Sequence, residues 1–232
     1  MMLQYSLESL RYKEFCSGSL IWMYNDCWGE NGWTIIDYYT RRKISYYFVK
    51  RALEHIKLIM REDHGMVKVI GINETSETVS FKVAYGYVKF DGSDKESAET
   101  DIRIPQYSRQ KVLEFEKKSY DQSEGIYFVE PLECLKEVAP ATLRSGEIKN
   151  LKLDKTKLKI YNMEQQAGNL SFMVESSSYA HAVHFGIGDD IRLSDEYFDL
   201  LPGSARKIVA YGDGKMDLIS EKITARCFND LL

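Results

Sequence analysis

Val67-Lys68-Val69-Ile70-Gly71-Ile72, followed after a polar break by Thr78-Val79-Ser80-Phe81-Lys82-Val83, decides how this chain is read. In the second run Val79, Phe81 and Val83 alternate strictly with polar residues. Successive side chains of a strand point to opposite faces, so this spacing gives one buried and one wetted face. Asp91-Gly92-Ser93-Asp94 is a turn signal, and Ile102–Ile104, Lys111–Glu116 and Ile126–Val129 add further short strands. The theme resumes with Leu158–Tyr161, Leu170–Val174, Ala182–Phe185, Lys207–Ala210 and Ile223–Phe228. The span suits two β-sandwiches of about eighty residues each. Their join falls between Pro131 and Asn150 and is placed at Asn150.

Residues 1–62 follow a different rule. Leu3, Leu7 and Leu10 recur at helical spacing. Ser19-Leu20-Ile21-Trp22-Met23-Tyr24 is almost continuously apolar, the pattern of a parallel strand buried on both faces. A polar loop from Asn25 to Trp33 leads to a long helix expected over Arg41 to about Arg61, with Ile44, Tyr47, Phe48, Ile56 and Ile59 on one stripe. A helix–strand–helix unit cannot bury itself, because its strand needs neighbours and its helices need a sheet. The expected fold is therefore mainly β: two β-sandwiches, 63–150 and 151–232, preceded by a remnant of a larger α/β body at 1–62.

Composition narrows the function. The 232 residues carry 35 acidic and 31 basic side chains, a formal charge of −4, which disfavours nucleic acid and anionic membranes as partners. No apolar run reaches the ~20 residues of a membrane span. Sixteen Tyr, ten Phe and three Trp make the chain 12% aromatic, a bias shared by sugar-handling surfaces and β-rich cores. Cys16, Cys27, Cys134 and Cys227 lack metal-ligand spacing and read as free thiols of a reducing compartment. The charged N-terminus lacks a leader pattern, so the location read from sequence is cytoplasmic. The sequons at Asn73 and Asn169 are accordingly idle. No cofactor is expected.

The stretch from Gly18 to Ala52, with Gly18-x-Leu20-x-Trp22, Asn25-Asp26-x-Trp28, Trp33, Asp37-Tyr38-x-x-Arg41-x-Lys43-x-x-Tyr46-Tyr47 and Lys50-Arg51-Ala52, resembles the last βα unit of the catalytic (β/α)8 barrel in glycoside hydrolase family 2, in its β-mannosidase branch. Ser194-Asp195-Glu196-Tyr197-Phe198-Asp199-Leu200-Leu201-Pro202-Gly203 is similar to a strand of the C-terminal immunoglobulin-like domain of the same enzymes. Two sandwiches after a barrel are what this resemblance implies. It further implies a retaining exo-glycosidase acting on a β-linked oligosaccharide, with two glutamates about 5–5.5 Å apart. Both would lie on earlier barrel strands, so no catalytic residue is expected here and the chain alone is expected to be inactive. The unpartnered barrel segment is expected to self-associate or to await the rest of the barrel. Asn73-Glu74 reproduces the family's acid/base dipeptide but sits between sandwich strands.

By the same resemblance Trp22 lines the terminal-sugar subsite, where an indole face suits sugar C–H bonds. Asn25 and Asp26 either meet sugar hydroxyls or hold the loop, and Trp28 and Trp33 stand near the pocket mouth. Asp37 and Arg41 read as a structural pair. Elsewhere, His181 and His184 fall on opposite strand faces, which is poor geometry for a metal, and Gly188-Asp189-Asp190 reads as a solvated turn rather than a cation loop. Tyr85 and Tyr87 share a strand face, as core packing or as a sugar-stacking strip. That strip belongs to the alternative reading, a non-catalytic carbohydrate-binding or scaffolding module.

Overall fold

A computed structural model describes residues 2–13, 15–30, 32–121, 123–133, 138–144, 146–188, 191–212 and 223–232. The chain is mainly β, with two short helices near its N-terminus. It divides into two compact units, Met1–Leu20 with Val49–Lys89 and Ser93–Lys152, and Ile21–Phe48 with Phe90–Gly92 and Leu153–Leu232.

The first unit opens with α1 (Met2–Tyr12). Helix α2 (Ile44–Ala52) contributes its last residues. The strands are β1 (Ile56–Asp63), β2 (Met66–Asn73), β3 (Val79–Lys89), β4 (Lys95–Ile104), β5 (Ser108–Glu116), β6 (Gly125–Glu133) and β7 (Ala141–Leu143). They form two antiparallel sheets, ordered β1-β2-β5 and β4-β3-β6-β7. Leu58, Met60, Val67 and Val69 from one sheet meet Phe81, Val83, Ile102, Ile104 and Val129 from the other, the alternation on which the fold was read.

The long helix expected to Arg61 is not formed: α2 stops at Ala52 and Ile56–Asp63 is β1, paired with β2 along its length. The sequence misled because β1 is buried on both faces from Ile56 to Met60, which erases the period of two. Leu58 and Met60 enter the sandwich core. On the same strand Lys57 is 3% exposed and reaches Glu8 of α1 at 3.5 Å, while Arg61 lies over the Tyr5 ring at 4.5 Å and donates to Ser9 Oγ at 3.2 Å. Helix α1 is thus the lid on the outer face of that sheet.

The second unit contains β8 (Leu158–Gln166), β9 (Asn169–Ser176), β10 (Ala180–Gly186), β11 (Arg192–Leu193), β12 (Phe198–Leu200), β13 (Ala205–Tyr211) and β14 (Thr224–Arg226). Its sheets are ordered β11-β13-β9-β8 and β12-β10-β14. Leu170, Phe172, Val174 and Ile208 pack against Val183, Phe185, Phe198 and Leu200 between them. A bulge breaks β10 at His181–Ala182, where Ala182 has a φ of 52°. Pro202-Gly203 makes the turn between β12 and β13, with Gly203 at a φ of 74° that a side chain would strain. No helix among the described residues is long and apolar enough to cross a membrane.

Candidate functional site

The loop that carries the predicted sugar-contact residues is built around one buried carboxylate. Asp26 is 2% exposed. Its Oδ1 accepts from Thr34 Oγ1 at 2.6 Å and its Oδ2 from Lys43 Nζ at 2.6 Å. Lys43 also donates to Thr34 Oγ1 at 2.7 Å and to the Gly32 carbonyl at 3.0 Å. The Lys43 ammonium and then the Thr34 hydroxyl hold the Asp26 carboxyl below its ordinary range against the opposing pull of burial. Gly32 must remain small, since a Cβ there would stand 3.0 Å from Asp26 Oδ1.

Backbone bonds complete the frame. Asp26 N donates to Ile36 O at 3.1 Å, Ile35 N and Ile36 N both donate to Tyr24 O at 3.2 Å, and Lys43 N donates to Ile35 O at 3.0 Å. Asp37 closes its own turn by accepting from Arg41 N at 2.8 Å and Arg41 Nε at 2.9 Å. Burial raises the Asp37 carboxyl, and the Arg41 backbone and guanidinium outweigh it, so the net direction is down. Downstream, Tyr47 is 4% exposed, and burial pushes its hydroxyl up to about 12, helped by the neighbouring Glu196. Glu196 is raised by burial and accepts from Phe185 N at 3.1 Å. The first turns of α2 are thereby fixed on the second sandwich, and the loop before them inherits that anchorage.

The aromatic residues stand on this frame facing outward. Trp22 is 85% exposed, Trp28 65% and Trp33 77%. Asn25 is exposed, and its amide donates to Asp26 O at 3.2 Å. Leu20 is wholly exposed, so the expected buried strand at Ser19–Tyr24 is absent as a ladder; only an isolated bridge joins Asn25 to Ile36. A parallel strand requires partners on both edges, and none of the described residues supplies them. The peptide bond between Trp22 and Met23 is cis. Trp22, Asn25, Asp26 and Trp28 therefore share one short segment, three of them on the surface and one beneath it. Of the partners that engage both Asp26 oxygens, Thr34 carries no motif signal in the sequence and Lys43 stands only as one position of the Asp37–Tyr47 pattern.

The other candidates resolve differently. Asn73 is fully buried and donates to Glu77 O and Ile104 O, while Glu74 faces solvent and pairs with Arg11 at 2.8 Å. Glu74 has the surroundings of a surface ion pair. His181 is buried against Asp199, with Nδ1 at 2.8 Å from Oδ1, and His184 stacks on Tyr197 at 5.4 Å. No group of three or more potential metal ligands occurs among the described residues. Asp189, Asp190 and Cys134 lie outside the described residues, whereas Cys16, Cys27 and Cys227 are free thiols.

The immunoglobulin-fold domain of mannosidases (Ig_mannosidase) matches residues 153–231. β-Mannosidase B of Thermothelomyces thermophilus is 43% identical over 53 residues, 22% of this chain and 6% of that protein. Its counterpart in Aspergillus niger is 43% identical over 49 residues, 21% of this chain and 6% of that protein. The crystal structure of β-D-mannosidase from Dictyoglomus thermophilum superposes with a TM-score of 0.89 at 28% identity, covering 98% of this chain and 28% of that one. The chain is β-mannosidase-like and matches the C-terminal region of family 2 enzymes. Exo-chitosanase of Amycolatopsis orientalis shares the fold, with a TM-score of 0.67 at 19% identity over 97% of this chain and 32% of that one. The chain thus spans less than a third of either solved structure and 6% of each of the two curated relatives. The Ser194–Gly203 motif lies within the matched immunoglobulin-fold domain, and there Asp199 and Gly203 have architectural work: one ties β12 to β10 and the other turns the chain.

Proposed function

We propose that these residues form the C-terminal part of a retaining exo-β-glycosidase acting on terminal β-linked mannosides, with the acid/base and nucleophile outside the 232 residues. The observation that carries the reading is the superposition on a β-D-mannosidase over nearly the whole chain, with the exposed Trp22 set on a rigid loop. In this reading the Trp22 indole is the platform for the terminal sugar, Asn25 offers its amide to a hydroxyl, and Trp28 walls the mouth of the pocket. Asp26 acts one layer down. Both its oxygens are engaged by Thr34 and Lys43, so it orients the segment that presents the other three.

The two glutamates would come from other strands of the barrel, in agreement with the surface setting of Glu74. The isolated chain is then expected to leave an aryl β-mannoside intact. A measurable rate abolished by Glu74→Gln would overturn that. Mixed with a β-mannosidase barrel lacking its own C-terminal region, the chain is expected to restore hydrolysis, and Trp22→Ala is expected to lower the restored kcat/KM by about tenfold to a hundredfold. Restoration that is indifferent to Trp22→Ala would remove the platform role.

A further inference from the structure

The first sandwich has a groove of about 520 Å³ where its two sheets part between the edge strands β4 and β5. The volume is within the range of small-molecule sites, about 300–1,000 Å³. Its origin is a difference in side-chain size. Gly86, Ser97 and Ala98 lie along the β3–β4 side, paired as Gly86 with Ser97 and Tyr85 with Ala98, and leave room that large rings elsewhere enclose. A Cβ on Gly86 would approach the Glu96 carbonyl oxygen to 2.0 Å, so this side has to stay small.

The facing wall is rigid. Tyr87 Oη donates to Asp121 O at 3.1 Å and Tyr127 Oη to Lys118 O at 2.6 Å, pinning the segment that follows β5. That segment lays the Tyr120 ring on Tyr87 at 4.0 Å and 15°, and brings the Lys118 ammonium onto the Glu96 carboxylate across the mouth. Tyr85, half-buried, leans on Phe115 at 5.1 Å. The groove therefore has aromatic rings within and the Glu96–Lys118 ion pair on its rim, with 56% and 57% of those side chains still exposed, and Lys95 and Glu116 add one further charge of each sign to the lining.

This combination selects for ligand class. An anion would meet Glu96, a cation would meet Lys118, and a purely apolar guest would strip water from the ion pair without replacing its hydrogen bonds. A neutral ring with one C–H face and a rim of hydroxyls satisfies every wall: the aromatic face takes the C–H side, Glu96 accepts from one hydroxyl and Lys118 donates to its neighbour. We infer that this groove is a binding subsite for a hexopyranose unit of a β-linked glycan, separate in sequence and in unit from the Trp22 loop. That the sugar is mannose and its linkage β rests on the proposed function; that it is a hexopyranose does not.

The test is a titration of the full chain with methyl β-mannoside and β-1,4-mannobiose, followed by backbone amide resonances. Amides of Tyr85, Ser97, Ala98 and Phe115 are expected to shift with a Kd of order millimolar. Tyr85→Ala should weaken binding by about tenfold or more and Tyr85→Phe by less than about twofold. Trp22→Ala should leave this response unchanged. Glu96→Gln and Lys118→Met alter exposed atoms and leave the core intact, so their loss of binding supports the site even if Tyr85→Ala misfolds. Unmoved groove amides, or equal binding by the Glu96, Lys118 and Tyr85→Ala variants, would overturn the subsite. Equal shifts with methyl β-glucoside would uphold the groove and overturn the choice of mannose.

Discussion

Replacing Asp199 by Ala should unfold the second sandwich far more readily than its size suggests. Asp199 lies on β12, and its carboxylate engages three groups of the segment that enters and forms the bulged β10. Its Oδ1 accepts from Ala182 N at 3.0 Å and meets His181 Nδ1 at 2.8 Å, while Oδ2 accepts from Tyr179 Oη at 2.6 Å. Tyr179 is 1% exposed and His181 4%, so their donors are left facing a largely buried gap that water reaches only from the quarter-exposed side of Asp199. Each buried donor left unpaired costs about 1–3 kcal/mol, so three donors with partial access of water put the total at about 3–5 kcal/mol. For a domain of this size that is a fall in Tm of roughly 15–30 °C. Scanning calorimetry is the suitable assay, because the first sandwich lacks this residue and its transition serves as an internal reference. Asp199→Asn keeps the Oδ1 acceptor and asks only the Tyr179 hydroxyl to turn, so it should cost about 1–2 kcal/mol.

The pH dependence supplies an independent check. Burial alone raises the Asp199 carboxyl, but the His181 imidazole, the Tyr179 hydroxyl and Ala182 N outweigh it and hold it well below its ordinary value of 3.8. The unfolded chain therefore takes up the proton first as pH drops. The contribution is full above about pH 4 and is lost as pH falls through the folded value. Asp199→Asn should lack that acid-side loss. A second transition that moves by less than about 1 kcal/mol in Asp199→Ala would refute the reasoning.

Other outcomes follow from the same geometry. Lys43→Met should leave Asp26 buried without its ammonium and open the Asn25–Lys43 loop to protease, seen as faster cleavage there with both sandwiches intact. The same loop should loosen in wild-type protein at acid pH, because the lowered Asp26 pKa makes its contribution full above about pH 4 and lost as pH falls through the folded value. All three Trp are exposed, so the emission should resemble solvated indole, be quenched readily by iodide, and shift to the blue when a barrel partner or a second copy covers the segment. Gly86→Ala should disrupt the β3–β4 pair and cost several kcal/mol, read by urea denaturation of the first sandwich, because the obstacle at 2.0 Å is backbone.

What the sequence disclosed depended on whether each element had two different faces. β3 and β9 have one face toward a core and one toward water, so Val79, Phe81 and Val83, or Leu170, Phe172 and Val174, are visible as alternation. β1 has no such contrast, since α1 covers the face that the sandwich core does not, and its Ile56 and Ile59 pass for a continuation of a helical stripe. The apolar run at Leu20–Tyr24 carries the same ambiguity in reverse. Its residues are those of a strand buried on both faces, yet among the described residues no strand lies beside them, and Leu20, Trp22 and Tyr24 stand in solvent while Ile21 and Met23 are half-buried. Apolarity reports what a segment is suited to bury against, and period reports how many faces it buries; neither says whether the covering element is present. The site obeys the same logic. Trp22 and Trp28 could be picked out singly, because each stands at a motif position of the family that the stretch resembles. The role of Asp26 could not, because Thr34 and Lys43 lie 8 and 17 positions downstream and only folding brings them to its two oxygens. A carboxylate next to an exposed indole invites assignment to a ligand, and the deciding observation is how many of its lone pairs the protein already uses. By that criterion Asp26 and Asp199, both inside motifs by which the chain resembles its relatives, are held in place for the fold, and the exposed Trp22 and Trp28 stand on the segment that Asp26 orders.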